Sequence, residues 1–229
     1  MELSKRLRMV ADMTRSCDLL MDVGTDHGYL PIYLTQKGTI KRAIASDVSK
    51  GSCEKAERNV LAHHLKDKIQ VRCGNGLEVL AKDEMPDCIV MSGMGGMLAI
   101  DVLKSAYQGS IAPRLVLQVQ RDIYAVRKHL HKTGYKIICE DMLKEDNKVY
   151  VAMAAVKGED AAYTEVQYHF GKLLLESKNQ ILKEYIAYEH NKIINVLSSI
   201  EHMQTEETEE RKIELKKLSN LQKEALECL

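Results

Sequence analysis

The stretch Leu19-Leu20-Met21-Asp22-Val23-Gly24-Thr25-Asp26-His27-Gly28-Tyr29-Leu30-Pro31 restricts the fold more than any other part of this chain. An apolar run leads into an acid, a glycine turn and then a helical pattern. That order predicts a strand feeding a ligand-gripping turn. Gly24 and Gly28 stand where backbone and ligand must approach closely, ahead of a helix N-terminus. The outline is that of the G-x-G-x-x-G turn, in which the second glycine lets the main chain touch a pyrophosphate. Here that position is Asp26, whose carboxylate would crowd and repel phosphate. The turn therefore suits a ligand with adenosine and ribose and no pyrophosphate. S-adenosylmethionine meets that description, because an acid beside its sulfonium is attractive, whereas NAD does not.

The rest of the chain alternates strand and helix patterns. A basic amphipathic helix over about 3–15 carries Leu3, Leu7, Val10 and Ala11 on one face and Lys5, Arg6, Arg8 and Arg15 mostly on others. It is either a solvated cover for the sheet or a basic element that meets phosphates. After the helix Tyr29 to Lys37, Arg42–Val48 reads as a second strand ending in Asp47. That acid lies 23 positions after Gly24, near the roughly 20-residue offset of a ribose-binding carboxylate. It could instead cap the following helix, but its pairing with the Gly24 turn favours ribose. A helix over about 49–65 ends at His63-His64, which as neighbours cannot share a helical face as metal ligands.

Ile69–Cys73 reads as the third strand, followed by Gly74-Asn75-Gly76-Leu77. This turn either reads an adenine edge through Asn75 or is an ordinary tight turn. A helix over 77–82 leads to a fourth strand, Pro86–Met91, and then to Ser92-Gly93-Met94-Gly95-Gly96. So many glycines imply either close backbone approach to a ligand or a close strand-to-helix turn. A helix over Met97–Tyr107 and a fifth strand, Leu115–Val119, follow. The helix around 121–133 carries Arg121, Arg127, Lys128, His129 and Lys132, read as a solvated face. Ile137–Cys139 and Val149–Val156 flank the turn Glu145-Asp146-Asn147 and predict a closing hairpin. The expected fold is α/β: a doubly wound, mostly parallel sheet with its last strand antiparallel. Ligands of such sheets bind at the carboxyl ends of the strands, where Gly24, Asp47, Asn75 and Ser92–Gly96 all fall.

Beyond Gly158 the period changes to threes and fours, in two long helical patterns separated by the segment 205–210 (TEETEE). These predict a C-terminal coiled-coil hairpin. Charge divides at the same point: residues 1–158 hold 24 Lys/Arg against 19 Asp/Glu, and residues 159–229 hold 9 against 14. Two segments are therefore expected, 1–158 as the ligand-binding domain and 159–229 as a helical arm too acidic to bind phosphates generally. The six cysteines show no C-x-x-C pair. Cys73, Cys88 and Cys139, in apolar strand runs, are expected to be buried free thiols in a reducing cytosol. No secretory leader is visible, no apolar run approaches the roughly 18 residues of a membrane span, and no metal site is expected. A cytoplasmic protein, with a monomer as its simplest state, follows.

Taken together, Leu3–Leu7, the run Asp22–Pro31, Gly74–Leu77 and Ser92–Gly96 resemble the bacterial tRNA adenine-N1 methyltransferase family, TrmK, which modifies adenine 22. The likeness extends over the whole chain, helical hairpin included. It implies a class I, Rossmann-like methyltransferase that uses S-adenosylmethionine and acts on tRNA. It also implies that Asp26 is important for catalysis and that Arg6 serves tRNA. The cofactor candidates are Asp22, Gly24, Thr25, His27, Gly28 and Tyr29 of the turn, Asp47 and Val48, Asn75 and Gly76, and Ser92, Gly93 and Met94. Those for tRNA are Lys5, Arg6 and Arg8, with Tyr29 and Met94 as packing surfaces for the target base. Two positions depart from the family pattern: Asn75 stands where an acid is common, and Val119-Gln120 where Pro-Asn is common.

The chemistry agrees with these residues. Methyl transfer from a sulfonium is an in-line displacement, so positioning supplies most of the catalysis. Adenine N1 already carries a lone pair, and positive charge grows on the ring as the bond forms. A carboxylate such as Asp26 can stabilise that charge or hold a proton of the exocyclic amine. N1 lies on the Watson–Crick edge, so the base must leave its stack. Rival readings are a small-molecule methyltransferase and a non-catalytic cofactor-binding adaptor.

Overall fold

A computed structural model of the chain describes residues 1–106, 112–146 and 148–229. The apolar run of the opening stretch forms β1 (Cys17–Val23), with Leu20 and Met21 fully buried. Around it lie β2 (Ile40–Asp47), β3 (Ile69–Cys73), β4 (Cys88–Met94), β5 (Arg114–Val119), β6 (Tyr135–Glu145) and β7 (Lys148–Lys157). The sheet order is β3-β2-β1-β4-β5-β7-β6. β1 to β5 pair in parallel, and β7 runs antiparallel to both β5 and β6, as expected for a closing hairpin. Asn147 of its turn lies outside the described residues.

Helices cover both faces, which is why the inner strands read as continuous apolar runs. α1 (Lys5–Met13), α2 (Tyr29–Gln36) and α3 (Lys50–Ala62) lie on one face. α4 (Gly96–Ser105) and α5 (Ile123–Lys132) lie on the other. Ser4 caps α1 through Leu7 N–H, and the buried residues of that helix are Met9, Val10, Ala11 and Met13; Leu3 and Leu7 are half-buried, with Leu3 packed against the same core. Successive crossovers run in opposite directions from β1, so strand order reverses between β1 and β4. Such a switch point opens a crevice at the strands' carboxyl ends.

Several expectations are corrected. The helix expected over 77–82 is a single 3-10 turn, Gly76–Val79. Arg72 Nη1 takes the Val79 carbonyl at 2.8 Å and Glu84 takes Ala81 N–H at 2.8 Å, which uses groups that a continuing helix needs. Ser92 to Met94 belong to β4 rather than to a loop, with a bulge between Ser92 and Met94. Cys73 and Cys139 are exposed, because β3 and β6 are the sheet edges; Cys88 on the central β4 is buried. Arg127 is not on a solvated face: it is buried on α5, with Nε 2.7 Å from Glu140 of β6. The helix expected to reach Tyr107 stops at Ser105, and Tyr107 itself lies outside the described residues.

The chain divides into two units, Met1–Asp160 and Ala161–Leu229. Within the second, the apolar periodicity is broken into α6 (Glu165–Phe170), α7 (Lys172–Glu176) and α8 (Gln180–Ser199), followed by α9 (Glu206–Cys228). Gly171 at φ 93° and Lys178 at φ 51° make the breaks. α8 and α9 pack as a helical hairpin, with α6 and α7 against α9. The Glu-rich segment opens α9 instead of separating two helices. Thr205 is its N-cap, and Glu206, Glu207 and Glu209 occupy the first turn, where the helix dipole favours negative charge. Buried in the hairpin, Gln222 Oε1 meets His190 Nδ1 at 3.1 Å. Ser219 Oγ lies 3.5 Å from the same nitrogen, and a buried polar cluster of this kind in an apolar seam fixes its register. Among the described residues, no helix is long and apolar enough to cross a membrane.

Candidate active site

The turn after β1 is held from both sides. Gly24 and Thr25 both donate their N–H to the Ser46 carbonyl at 2.9 Å, tying the turn to β2. Gly24 has φ 73°, and a Cβ there would sit 3.3 Å from Met94 Cε of β4. Asp26 has φ 50°, a left-handed conformation that Asp tolerates better than most residues. Its backbone N–H donates to Asp47 Oδ2 at 3.1 Å, while Asp47 Oδ1 accepts from Ser49 N–H at 2.9 Å. Asp47 is thus part of the turn's scaffold. The helix cap belongs to Ser49, which accepts from Ser52 N–H. Gly28 answers a backbone need: it stands at φ 71° as the N-cap of α2, while a Cβ there would only touch Ala56 of α3 at an ordinary 3.4 Å. Asn59 of the same helix donates to the His27 carbonyl at 2.9 Å.

Three carboxylates surround this turn. Asp22 is buried and accepts from the Thr25 hydroxyl at 2.6 Å. Burial pushes its carboxyl up to about 6, against the pull of the Thr25 hydroxyl, and the nearby Asp47 charge adds to the rise. Asp26 is exposed: Oδ1 accepts from the Ser52 hydroxyl at 3.4 Å, and Oδ2 lies 3.4 Å from His27 Nε2. The His27 ring stacks on Tyr29 at 5.1 Å between centroids, and Tyr29 is 42% exposed at the start of α2, so it is not a core residue.

A cavity of about 500 Å³ opens at the switch point. Of the expected residues, the structure brings Arg6, Asp22, Gly24, Thr25, Asp26, His27, Tyr29, Ser92 and Gly93 to its wall. Asp47, Val48, Asn75, Gly76, Met94, Gly28, Lys5 and Arg8 are not on it. Asp47 and Gly76 stand one step away, joined to the turn by Asp26 N–H and by Ser46 Oγ, which donates to the Gly76 carbonyl at 3.3 Å. Val48, beside Asp47, is an apolar side chain left 70% exposed at the end of β2. Asn75 donates its amide to Glu78 Oε1 at 2.8 Å. Lys5 is exposed, and Arg8 pairs with Asp12 at 2.9 Å and lies 5.4 Å over the Tyr33 ring. Arg6 reaches into the crevice and bonds Ser92 and Gln118. Gln118 and Ser52 were not singled out from the sequence. The available signal for Gln118 was an amide inside the apolar run Leu115–Val119.

The profile of the family described as tRNA (adenine(22)-N(1))-methyltransferase, TrmK, matches residues 20–224. This chain belongs to the TrmK family. The tRNA (adenine(22)-N(1))-methyltransferase of Bacillus subtilis (strain 168) is 34% identical over 226 residues, covering 96% of this chain and 94% of that one. Among solved structures, a Streptococcus pneumoniae protein in complex with S-adenosyl-L-methionine superposes with TM-score 0.88 at 32% identity, over 98% of this chain and 100% of that one. M. capricolum TrmK in complex with S-adenosyl-homocysteine gives TM-score 0.90 at 25% identity, over 100% and 99%. The TrmK profile begins at Leu20, within β1, so α1 and Arg6 lie before the matched segment.

Proposed function

We propose that this chain transfers a methyl group from S-adenosylmethionine to N1 of an adenine in tRNA, position 22, giving 1-methyladenosine. The observation that carries the reading is the turn Gly24–Tyr29 at the switch-point cavity of a TrmK-family sheet, with the Asp26 carboxylate where a phosphate-binding turn has glycine. The residues present fit a cationic nucleoside cofactor. Asp22, Asp26 and Asp47 surround the turn, Val48 offers an apolar face, and the turn itself holds no Lys or Arg. When bound, the cofactor supplies an electrophilic methyl group on sulfur.

The chain's own residues do the rest. Asp47 keeps lone pairs for ribose hydroxyls beyond the two backbone N–H groups it already accepts. Val48, Asn75 and Gly76 line the adenosine side, while Gly24, Thr25 and the backbone of Ser92, Gly93 and Met94 set the floor. Asp22 balances positive charge from below. Asp26, on the cavity wall and exposed, faces the incoming base and stabilises the positive charge that grows on adenine as N1 is methylated. The stacked pair His27 and Tyr29 gives the extruded base an aromatic surface, with Met94 behind it. Lys5, Arg6 and Arg8 on α1 meet the tRNA.

The test is incubation of the purified protein with methyl-labelled cofactor and bulk tRNA, followed by mapping of the label. Label at N1 of one adenine supports the reading. Cofactor binding without transfer to RNA overturns it in favour of an adaptor.

A further inference from the structure

Gln118 occupies a place where the sheet has no packing need for an amide. It lies on β5 between Leu117 and Val119 and is fully buried. Its register partners are Ser92 on β4 and Ala152 on β7. With Val116 two residues earlier, it points to the sheet face that packs on α1. Any apolar residue of similar size would fill this site without desolvating a polar group. Instead the amide Nε2 is buried with no hydrogen-bond partner among the described residues, a net loss of stability. Such a loss inside an otherwise consistent core points to a role outside packing.

That role is visible at the amide oxygen. Oε1 accepts from Arg6 Nη1 at 2.8 Å and from the Ser92 hydroxyl at 3.3 Å, and Arg6 Nη1 also donates to Ser92 Oγ at 2.8 Å. Both N–H groups of Nη1 are spent in this triangle. Nε and Nη2 keep three N–H groups without hydrogen-bond partners among the described residues, on a side chain that lines the cavity and whose guanidinium stands 5.9 Å over the Tyr150 ring. The β4 bulge makes the room: Gly93, at φ 87°, would carry a Cβ 3.1 Å from Arg6 Nη1.

We infer that Gln118 is a positioning residue for methyl transfer, holding the Arg6 guanidinium by one nitrogen so that its remaining donors face the nucleotide entering the crevice. This rests on the tRNA methyltransferase reading above. A guanidinium fixed in this way offers a planar, pre-oriented donor edge to phosphate or base acceptors of the target nucleotide. An unanchored one would have to be ordered at each encounter.

The experiment compares Gln118→Leu, Gln118→Glu and Arg6→Ala, each by cofactor affinity, tRNA affinity and steady-state methylation. Gln118→Leu should lower kcat/KM for tRNA about tenfold or more, with cofactor affinity unchanged. Gln118→Glu keeps acceptor oxygens for Arg6 and Ser92 and should restore activity to within about threefold of the parent. Arg6→Ala combined with Gln118→Leu should be no worse than Arg6→Ala alone, because the two act as one unit. Wild-type kcat/KM in Gln118→Leu, failure of Gln118→Glu to restore it, or multiplicative losses in the double variant would each overturn the proposal. If the unmodified protein transfers no methyl group to tRNA, the functional reading fails separately. The Gln118→Leu effect on tRNA affinity then still decides whether the amide positions Arg6.

Discussion

The backbone N–H of Asp26 donates to Asp47 Oδ2, so the residue proposed for catalysis and the residue proposed for ribose are coupled through the main chain and not through the Asp26 side chain. The Asp26 carboxylate, which meets the Ser52 hydroxyl and His27 at 3.4 Å, is therefore not part of the brace that its own peptide makes on the cofactor side. Removing one function need not remove the other.

Asp26→Asn should retain the left-handed backbone, since Asn adopts it as readily as Asp. It should also retain the bond to Asp47 while losing the negative charge. We expect kcat to fall about 10²-fold or more with cofactor affinity within about threefold, because the brace is unaltered. Single-turnover methylation and calorimetric cofactor titration check this. Near-normal turnover would remove Asp26 from the chemistry.

Asp47→Ala should do the reverse. It deletes the acceptor for both Asp26 N–H and Ser49 N–H, besides the proposed ribose contacts. Cofactor affinity should drop at least about tenfold, and saturating cofactor should recover part of the rate. A cofactor affinity equal to that of the parent would exclude the ribose role.

Asp22 gives the site a pH signature. Its carboxyl is raised to about 6 by burial, so the folded state binds a proton that the unfolded chain has already lost. The sign follows: this group's contribution to stability is fullest below the usual carboxylate range. It then falls as pH rises towards about 6 and is flat above. A cationic cofactor favours the ionised form, so binding should release a proton and tighten, by up to about tenfold per pH unit, as pH approaches 6 from below. Titrations in buffers of different ionisation enthalpy measure the proton released. Asp22→Asn should abolish the dependence.

The Arg127–Glu140 pair, at 2.7 Å and almost fully buried, should behave as a structural lock between α5 and β6. Glu140→Ala leaves the guanidinium charge without that carboxylate and should cost about 3 kcal/mol or more, read from chemical denaturation. Replacing both partners with apolar residues, Arg127→Met with Glu140→Leu, should recover most of that loss. An equal loss in the double variant would contradict a charge-burial origin.

Gly96 opens α4 directly against the next connection, its N–H donating to the Arg121 carbonyl at 3.1 Å. A Cβ there would lie 2.5 Å from that same backbone oxygen, which cannot step aside as a side-chain end could. Gly96→Ala should therefore destabilise by about 2 kcal/mol, whereas Gly95→Ala, where a Cβ meets nothing within 4 Å, should be mild. Thermal melts of the two variants separate a packing glycine from a spare one.

The sequence by itself determined the alternation of strands and helices, the closing hairpin and the turn after β1. Each of these is written in local periodicity and in residues with restricted backbone preferences. It also carried the expectation of a site that does not take pyrophosphate, because Asp26 in place of glycine puts a charge at a fixed offset in a known kind of turn. Tertiary structure decided how side chains far apart in the chain were matched. Arg127 read as a solvent-facing cation until Glu140 met it. Gln118 read as one residue of a strand until Arg6, 112 positions away, came to its oxygen. Gly28 read as a ligand-facing glycine until the fold set it off the cavity wall, at φ 71° ahead of α2. Burial and partnership depend on which distant segments arrive at a point. A sequence pattern reports only the conformational preferences of neighbours, which is why the scaffold was legible and the partnerships that tune the site were not.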